Sequence, residues 1–167
     1  MHLTMRVCAT DDPRKKWSKC IHGVRNQGKC GSCWAFALAG VLSDRYCTSS
    51  QGRTNVELSP QYLVSCDKTD KGCEGGSLDR SWKFAVSSGL CTERCWPYES
   101  QSGFVPKCMA KCVDGKEMHM YKARKWRQMK GMEAMMSEME DYGVLEAGFN
   151  VYQASGRTVW QAVDAAD

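Results

Sequence analysis

Eleven cysteines in 167 residues constrain this chain more than any apolar run in it. A reduced cytosolic protein without metal clusters has little use for so many, so they point to an oxidising route where disulfides persist. The odd count is informative too. One reactive thiol would leave ten cysteines for five bridges, although their order alone does not fix the connectivity. Cys91, Cys95, Cys108 and Cys112 crowd one loop-rich stretch, but their spacing is not a C-x2-C pair and no partner histidine is close. No metal and no cofactor is assigned to them.

Gln27-Gly28-Lys29-Cys30-Gly31-Ser32-Cys33-Trp34-Ala35-Phe36 reads as a glycine-punctuated loop that turns straight into an apolar helix. From Trp34 to Leu42 there is no polar residue, and Gly40 is the single glycine. A cysteine at such a junction sits near the first helical turn, where unpaired N–H groups and the positive dipole end favour a thiolate. A thiolate is the nucleophilic form, and the same N–H groups with the Gln27 amide suit the oxyanion that its attack on a carbonyl creates. Two other readings of the segment stay open: a disulfide-bonded loop before a helix, and a thiol oxidoreductase using Cys30 and Cys33. The second needs a strand ahead of Cys30, where the sequence is polar loop.

Cys30-Gly31-Ser32-Cys33-Trp34, with Gln27-Gly28 before it and Ala35-Phe36 after it, resembles the nucleophile segment of papain-family cysteine peptidases. Asp12-Pro13-Arg14, Trp17-Ser18-Lys19-Cys20, Ser43-Asp44-Arg45-Tyr46-Cys47, Cys95-Trp96-Pro97-Tyr98, Pro106 to Cys112 and Leu145 to Tyr152 are similar to segments of the cathepsin B-like branch. The resemblance implies an α+β, papain-like fold, with a helical left domain and only the beginning of the β-rich right domain. It divides the chain into a lead-in at 1–19, a left domain at 20–105, the start of a right domain at 106–153 and an unrelated tail at 154–167. It makes Cys33 the nucleophile and Gln27 the oxyanion donor. Gly75 and Gly76, in Gly72-Cys73-Glu74-Gly75-Gly76, become the backbone edge that holds substrate, with Glu74 standing where the family has asparagine. The implied bridges are Cys20 to Cys47, Cys30 to Cys73, Cys66 to Cys108 and Cys95 to Cys112. Cys8 and Cys91 receive no partner.

Local signals fill in the elements. One helix is expected from near Ser32 to about Tyr46, apolar almost all round and therefore buried. Ser59 and Pro60 read as the cap and first residue of a short helix. Leu78, Trp82, Ala85 and Val86 form the stripe of an amphipathic helix over Ser77–Ser88, stopped by Gly89. Met132, Met135, Met136 and Met139 make a second stripe, read as core, and Val144–Tyr152 reads as a strand. His22 is expected to be a solvated loop histidine. Lys116–Lys130 is read as a solvated face anchored by Tyr121 and Trp126, since a net charge of +4 is too mild to argue for nucleic acid.

By the same resemblance, mammalian cathepsin B carries a long histidine-bearing loop between the Cys95 and Cys108 motifs that blocks one end of its cleft. Here only Glu99–Val105 separates them, which implies an open cleft and a cysteine endopeptidase acting on polypeptide substrates. Cystatin-like or pro-segment inhibitors are the implied partners, and lysosomal, vacuolar or secreted localisation is implied. No apolar run approaches the length of a membrane span, and Met1–Arg6 lacks a signal-peptide core. A papain-like enzyme also needs a histidine and an orienting asparagine, about 130–150 residues after the cysteine. That window opens close to Asp167, Ala154–Asp167 holds neither residue, and the histidines are His2, His22 and His119. The expectation is a chain truncated before half of its machinery and incomplete as an enzyme by itself. The alternative is a non-catalytic, disulfide-rich secreted binding protein built on the left domain.

Overall fold

A nearly uniformly apolar run places helix α2 (Cys33–Ser49) at the middle of the fold. The structure is a computed structural model that describes residues 12–154 and 157–162; His2 and Cys8 lie outside them. The other elements are the single turn α1 (Pro13–Lys16), α3 (Pro60–Cys66), α4 (Leu78–Ser87), a 3-10 turn (Ser100–Ser102), α5 (Met132–Tyr142) and the strands β1 (Phe149–Ala154) and β2 (Arg157–Ala162).

Trp34, Ala35, Leu38, Ala39 and Leu42 of α2 are buried with Leu58, Leu63, Val64, Ala85 and Leu90 in one core. Apolar residues on every side of α2 let α3 and α4 pack on it together. The helix runs a turn past Tyr46. Cys47 is bridged to Cys20 there, and Thr48 Oγ1 donates to the Tyr142 carbonyl at 3.2 Å, so tertiary ties carry the last turn beyond its apolar stretch.

Ser59 caps α3, its Oγ accepting from Tyr62 N–H at 3.1 Å while donating to the Trp96 carbonyl at 2.6 Å. One hydroxyl thus starts a helix and fastens it to a second cluster of Cys91, Cys95 and Trp96. Gln61, fully buried, donates to Ser65 Oγ and Ser100 Oγ and accepts from the Glu99 and Ser100 N–H groups at 2.9 and 3.0 Å. A buried amide must satisfy its polar atoms, and doing so pins the Glu99–Val105 connector to α3. In α4 the expected stripe holds: Ala85 is fully buried, and Leu78, Trp82 and Val86 pack against the core.

Two expectations need correction. The methionine stripe of α5 is not core: Met132 is 74% exposed, and the buried residue of that helix is Glu138. Glu138 accepts from Arg45 on α2 at 2.9 Å and is paired with Arg127, so α5 docks through a carboxylate. The strand begins at Phe149 and not at Val144. Residues 144–148 are tied to helices instead: the Val144 carbonyl accepts from Arg45 Nε at 2.9 Å and Glu146 accepts from Trp82 Nε1. From Phe149 the chain forms an antiparallel hairpin, Phe149 opposite Ala162 and Ala154 opposite Arg157. β2 therefore lies in the stretch read as an unrelated tail.

Candidate active site

Cys33 is the first residue of α2, exposed and without a disulfide partner. Ser32 stands in the N-cap position, but its side chain makes no cap bond. Its Oγ lies 2.8 Å from Tyr98 Oη, which itself donates to the Gln27 carbonyl at 2.9 Å. A phenol has one hydrogen, so Ser32 is the donor to Tyr98. An N-cap serine ordinarily satisfies an N–H of the first turn. The Ser32 carbonyl meets Ala35 N–H at 2.9 Å, but with the Ser32 side chain turned away the N–H groups ahead of it and the positive helix end stay beside the thiol.

The same Tyr98 fixes the Gln27 loop. Gln27 Nε2 donates to the Cys30 carbonyl at 2.8 Å, which orients the amide and leaves its second N–H to point elsewhere. Lys29 N–H donates to the Gln101 carbonyl at 2.8 Å. At Gly28, φ is +66°, and an added Cβ would stand 2.5 Å from that carbonyl oxygen, so the close approach requires glycine. Tyr98 ties loop, helix mouth and connector together, and its ring packs edge-on against Phe36 at 4.6 Å. Nothing in the Cys95-Trp96-Pro97-Tyr98 string by itself assigns this part to Tyr98. An aromatic hydroxyl three residues after a bridged cysteine was the available signal.

On the other side of Cys33, Cys30 is bonded to Cys73, and Gly31 N–H donates to the Cys73 carbonyl at 2.8 Å. This brings Gly75 and Gly76 beside the helix mouth. Gly76 is exposed, yet an added Cβ would lie 2.4 Å from the Trp34 indole, which is itself buried and donates to the Gly72 carbonyl at 3.1 Å. Buried Asp70 accepts from Ser77 N–H at 2.8 Å and from Arg80 Nε at 2.9 Å, closing the loop onto α4. The remaining bridges are Cys20–Cys47, Cys66–Cys108 and Cys95–Cys112, the pairs that the resemblance implies. Cys91 is a free, buried thiol, and its burial pushes its pKa up to about 11.

Neither described histidine stands at Cys33. His22 is not a solvated loop residue: it is half-buried, with Nδ1 2.7 Å from Asp44 Oδ1. Asp44 lies about 16 Å along α2 from Cys33 at a rise of 1.5 Å per residue. His119 packs on Tyr121, which packs on Tyr46, about 20 Å along the same axis. The dithiol reading of Cys30 and Cys33 is removed as well, because Cys30 is held by Cys73.

A free, exposed thiol thus stands at an uncapped helix mouth, between an oriented amide and a glycine loop. Comparison with known proteins gives the family. The model of the papain family cysteine proteases matches residues 7–162, past Gln153 where the motif-level likeness ends. Cathepsin B-like CP3 of Giardia intestinalis is 41% identical over 155 residues, covering 87% of this chain and 52% of its own. Cathepsin B-like cysteine proteinase 4 of Caenorhabditis elegans is 33% identical, covering 88% and 54%. Among solved structures, proCathepsin B S9 from Trypanosoma congolense superposes with a TM-score of 0.71 at 29% identity, over 89% of this chain and 54% of that one. The chain spans about half the length of the curated relatives it matches. Its fold is papain-like, and the chain belongs to the papain family of cysteine proteases.

Proposed function

We propose that this chain carries the nucleophile side of a cysteine endopeptidase. Cys33 Sγ, as thiolate, attacks the peptide carbonyl carbon. The carbonyl oxygen takes the negative charge and is held by the open N–H groups at the mouth of α2 and by Gln27. The C–N bond then breaks, the amine leaves with a proton, and water hydrolyses the resulting thioester. Gly75 and Gly76 give the extended substrate a backbone edge free of side chains. A histidine to protonate the leaving amine belongs to this chemistry, and His22 and His119 are occupied elsewhere. The proposal therefore concerns the whole protein, of which this chain matches one half in its relatives.

The observation that carries the reading is a free, exposed Cys33 beside a Cys30 locked into a structural bridge. Endopeptidase action is supported by the short connector, held down by Gln61 and by the Lys29 N–H. The four bridges support an oxidising lysosomal, vacuolar or secretory setting. The Trypanosoma congolense structure is of a proCathepsin B, which supports a pro-segment as an inhibitory partner beside cystatin-like proteins.

An epoxide thiol probe followed by peptide mapping tests the assignment. Adduct at Cys33, and peptide cleavage that disappears in Cys33→Ala, is the expected result. Cleavage surviving that substitution, or Cys33 recovered in a disulfide with Cys30, overturns it. Probe labelling without cleavage in the full-length product would favour the non-catalytic binding protein.

A further inference from the structure

The loop that carries Gly75 and Gly76 is closed from inside by two carboxyl groups that acyl transfer does not use. Asp67, at the end of α3, is 2% exposed, and its Oδ1 accepts from Thr69 N–H at 2.9 Å and from Thr69 Oγ1 at 2.7 Å. The Asp70 side chain is fully buried, and its Oδ1 takes the Ser77 N–H and Arg80 Nε bonds that hold the loop to α4. The second oxygen of each, Asp67 Oδ2 and Asp70 Oδ2, is buried with no hydrogen-bond partner. The two carboxyls also lie within hydrogen-bonding reach of each other.

A buried acceptor without a donor is destabilising, and two carboxylates in contact repel. The cation facing them is Arg80 of α4, spent on Asp70 Oδ1. Lys68 Nζ is turned to the Ser65 carbonyl of α3 at 2.6 Å, and among the described residues no other cation makes an ion pair with either aspartate. One proton resolves both defects. On one Oδ2 it makes an O–H that donates to the other Oδ2, and the pair then carries a single negative charge, which Arg80 balances. Burial raises the Asp67 pKa, the Thr69 bonds oppose it, and Asp70 adds to the rise. We propose that Asp67 and Asp70 share one proton between their Oδ2 atoms, and that this bond positions the Gly75–Gly76 edge for substrate. The role at the edge rests on the peptidase reading above, and the shared proton on the two carboxyls alone.

The path from bond to edge is short. Asp67 N–H donates to the Leu63 carbonyl at 3.0 Å, which fixes one end of the loop to α3, and Ser77 N–H fixes the other. Between them Lys71 N–H donates to the Gly75 carbonyl at 3.0 Å, so the residue after Asp70 holds the edge directly. Without the proton, two like charges press apart inside the turn that carries Gly75 and Gly76. The folded loop binds the proton more tightly than the unfolded chain does. Its stabilisation is therefore full below an ordinary 3.8 and is lost as pH rises through the raised value of the pair.

The test is native-state hydrogen exchange of the full chain by nuclear magnetic resonance, at about pH 4 and about pH 8, corrected for intrinsic rates. Relative to the amides of α2, protection of the Thr69, Lys71, Glu74 and Ser77 amides should fall at least about tenfold at the higher pH. Asp67→Asn keeps an acceptor for Thr69 and carries a permanent N–H donor for Asp70 Oδ2, so its loop should change by less than about twofold. Asp70→Asn offers the same donor from the other side and should flatten the pH response likewise. Asp67→Ala has no donor to offer, and its loop should be loose at both pH values. In the full-length product, the KM ratio of wild type to Asp67→Asn for a peptide should be near one at about pH 4. It should rise at least about threefold at about pH 8, with no matching change in the kcat ratio. A wild-type loop equally protected at both pH values, or asparagine variants that loosen with pH as the wild type does, overturns the shared proton. A KM ratio that stays near one overturns its role at the edge. Loop protection that follows pH as expected, with no cleavage and no adduct at Cys33, would sink the peptidase reading and leave the shared proton standing.

Discussion

Glu146 offers the sharpest physical test of the packing beside the site. Trp82 Nε1 donates to one of its oxygens, and the other, Oε1, is buried without a partner. Burial pushes this carboxyl from an ordinary 4.5 up to about 8, against the opposing pull of the Trp82 bond. The folded state therefore binds the proton more tightly than the unfolded chain does. By linkage, the fold loses stability as pH rises from about 4.5 to about 8, and the penalty is constant above that. Each pH unit is worth about 1.36 kcal/mol, so the ceiling is about 5 kcal/mol. Part of the residue still meets water, and screening brings the working figure to about 2–4 kcal/mol. Glu146→Gln keeps the shape and the acceptor for Trp82 but has no charge to bury. Urea denaturation of both proteins at pH 4, 6 and 9 should give similar stabilities at pH 4 and a gap favouring the variant that widens to pH 9. Asp67 and Glu93 are also raised by burial, but they are common to both chains and cancel in the difference. A gap independent of pH, or one favouring the wild type at pH 9, would refute the argument that Glu146 is held protonated by its burial.

Other perturbations read the site directly. Gly76→Ala forces a Cβ into the Trp34 indole and should cost about 1–3 kcal/mol in chemical denaturation. Gly75→Ala meets no atom within 4 Å but sits at φ +106°, so its cost is backbone strain. A double-mutant cycle with Trp34→Leu should show coupling for Gly76 and near-additivity for Gly75; the same coupling at both would sink this distinction. Tyr98→Phe strips the partner from buried Ser32 Oγ and should destabilise by about 1–3 kcal/mol while keeping the ring contact with Phe36. An unchanged midpoint would show that the hydroxyl bridge contributes nothing. In thiol-reagent kinetics Cys33 should react in the native protein, and Cys91 only on unfolding, because it is buried and its pKa is about 11.

Local chemistry made much of this protein legible before any coordinates. A polar loop with glycines running into Trp34–Leu42 is enough to place Cys33 at a helix mouth, because periodicity and turn residues act over a few positions. Ser59-Pro60 located the start of α3 for the same reason. Long-range partners were another matter. That Ser32 abandons its cap for Tyr98, that Asp70 closes the glycine loop, and that His22 is spent on Asp44 depend on residues brought together from as many as 66 positions away. The methionine stripe misled because helical spacing marks a face without saying what covers it, and α5 turned instead on Glu138 and two arginines. The sequence by itself determined which residues could do chemistry, since thiol, amide and glycine are properties of single positions. Only the tertiary structure decided where the free thiols stand: pairing depends on the distance between sulfurs, and folding sets Cys30 against Cys73, leaves Cys33 at the open end of α2 and buries Cys91.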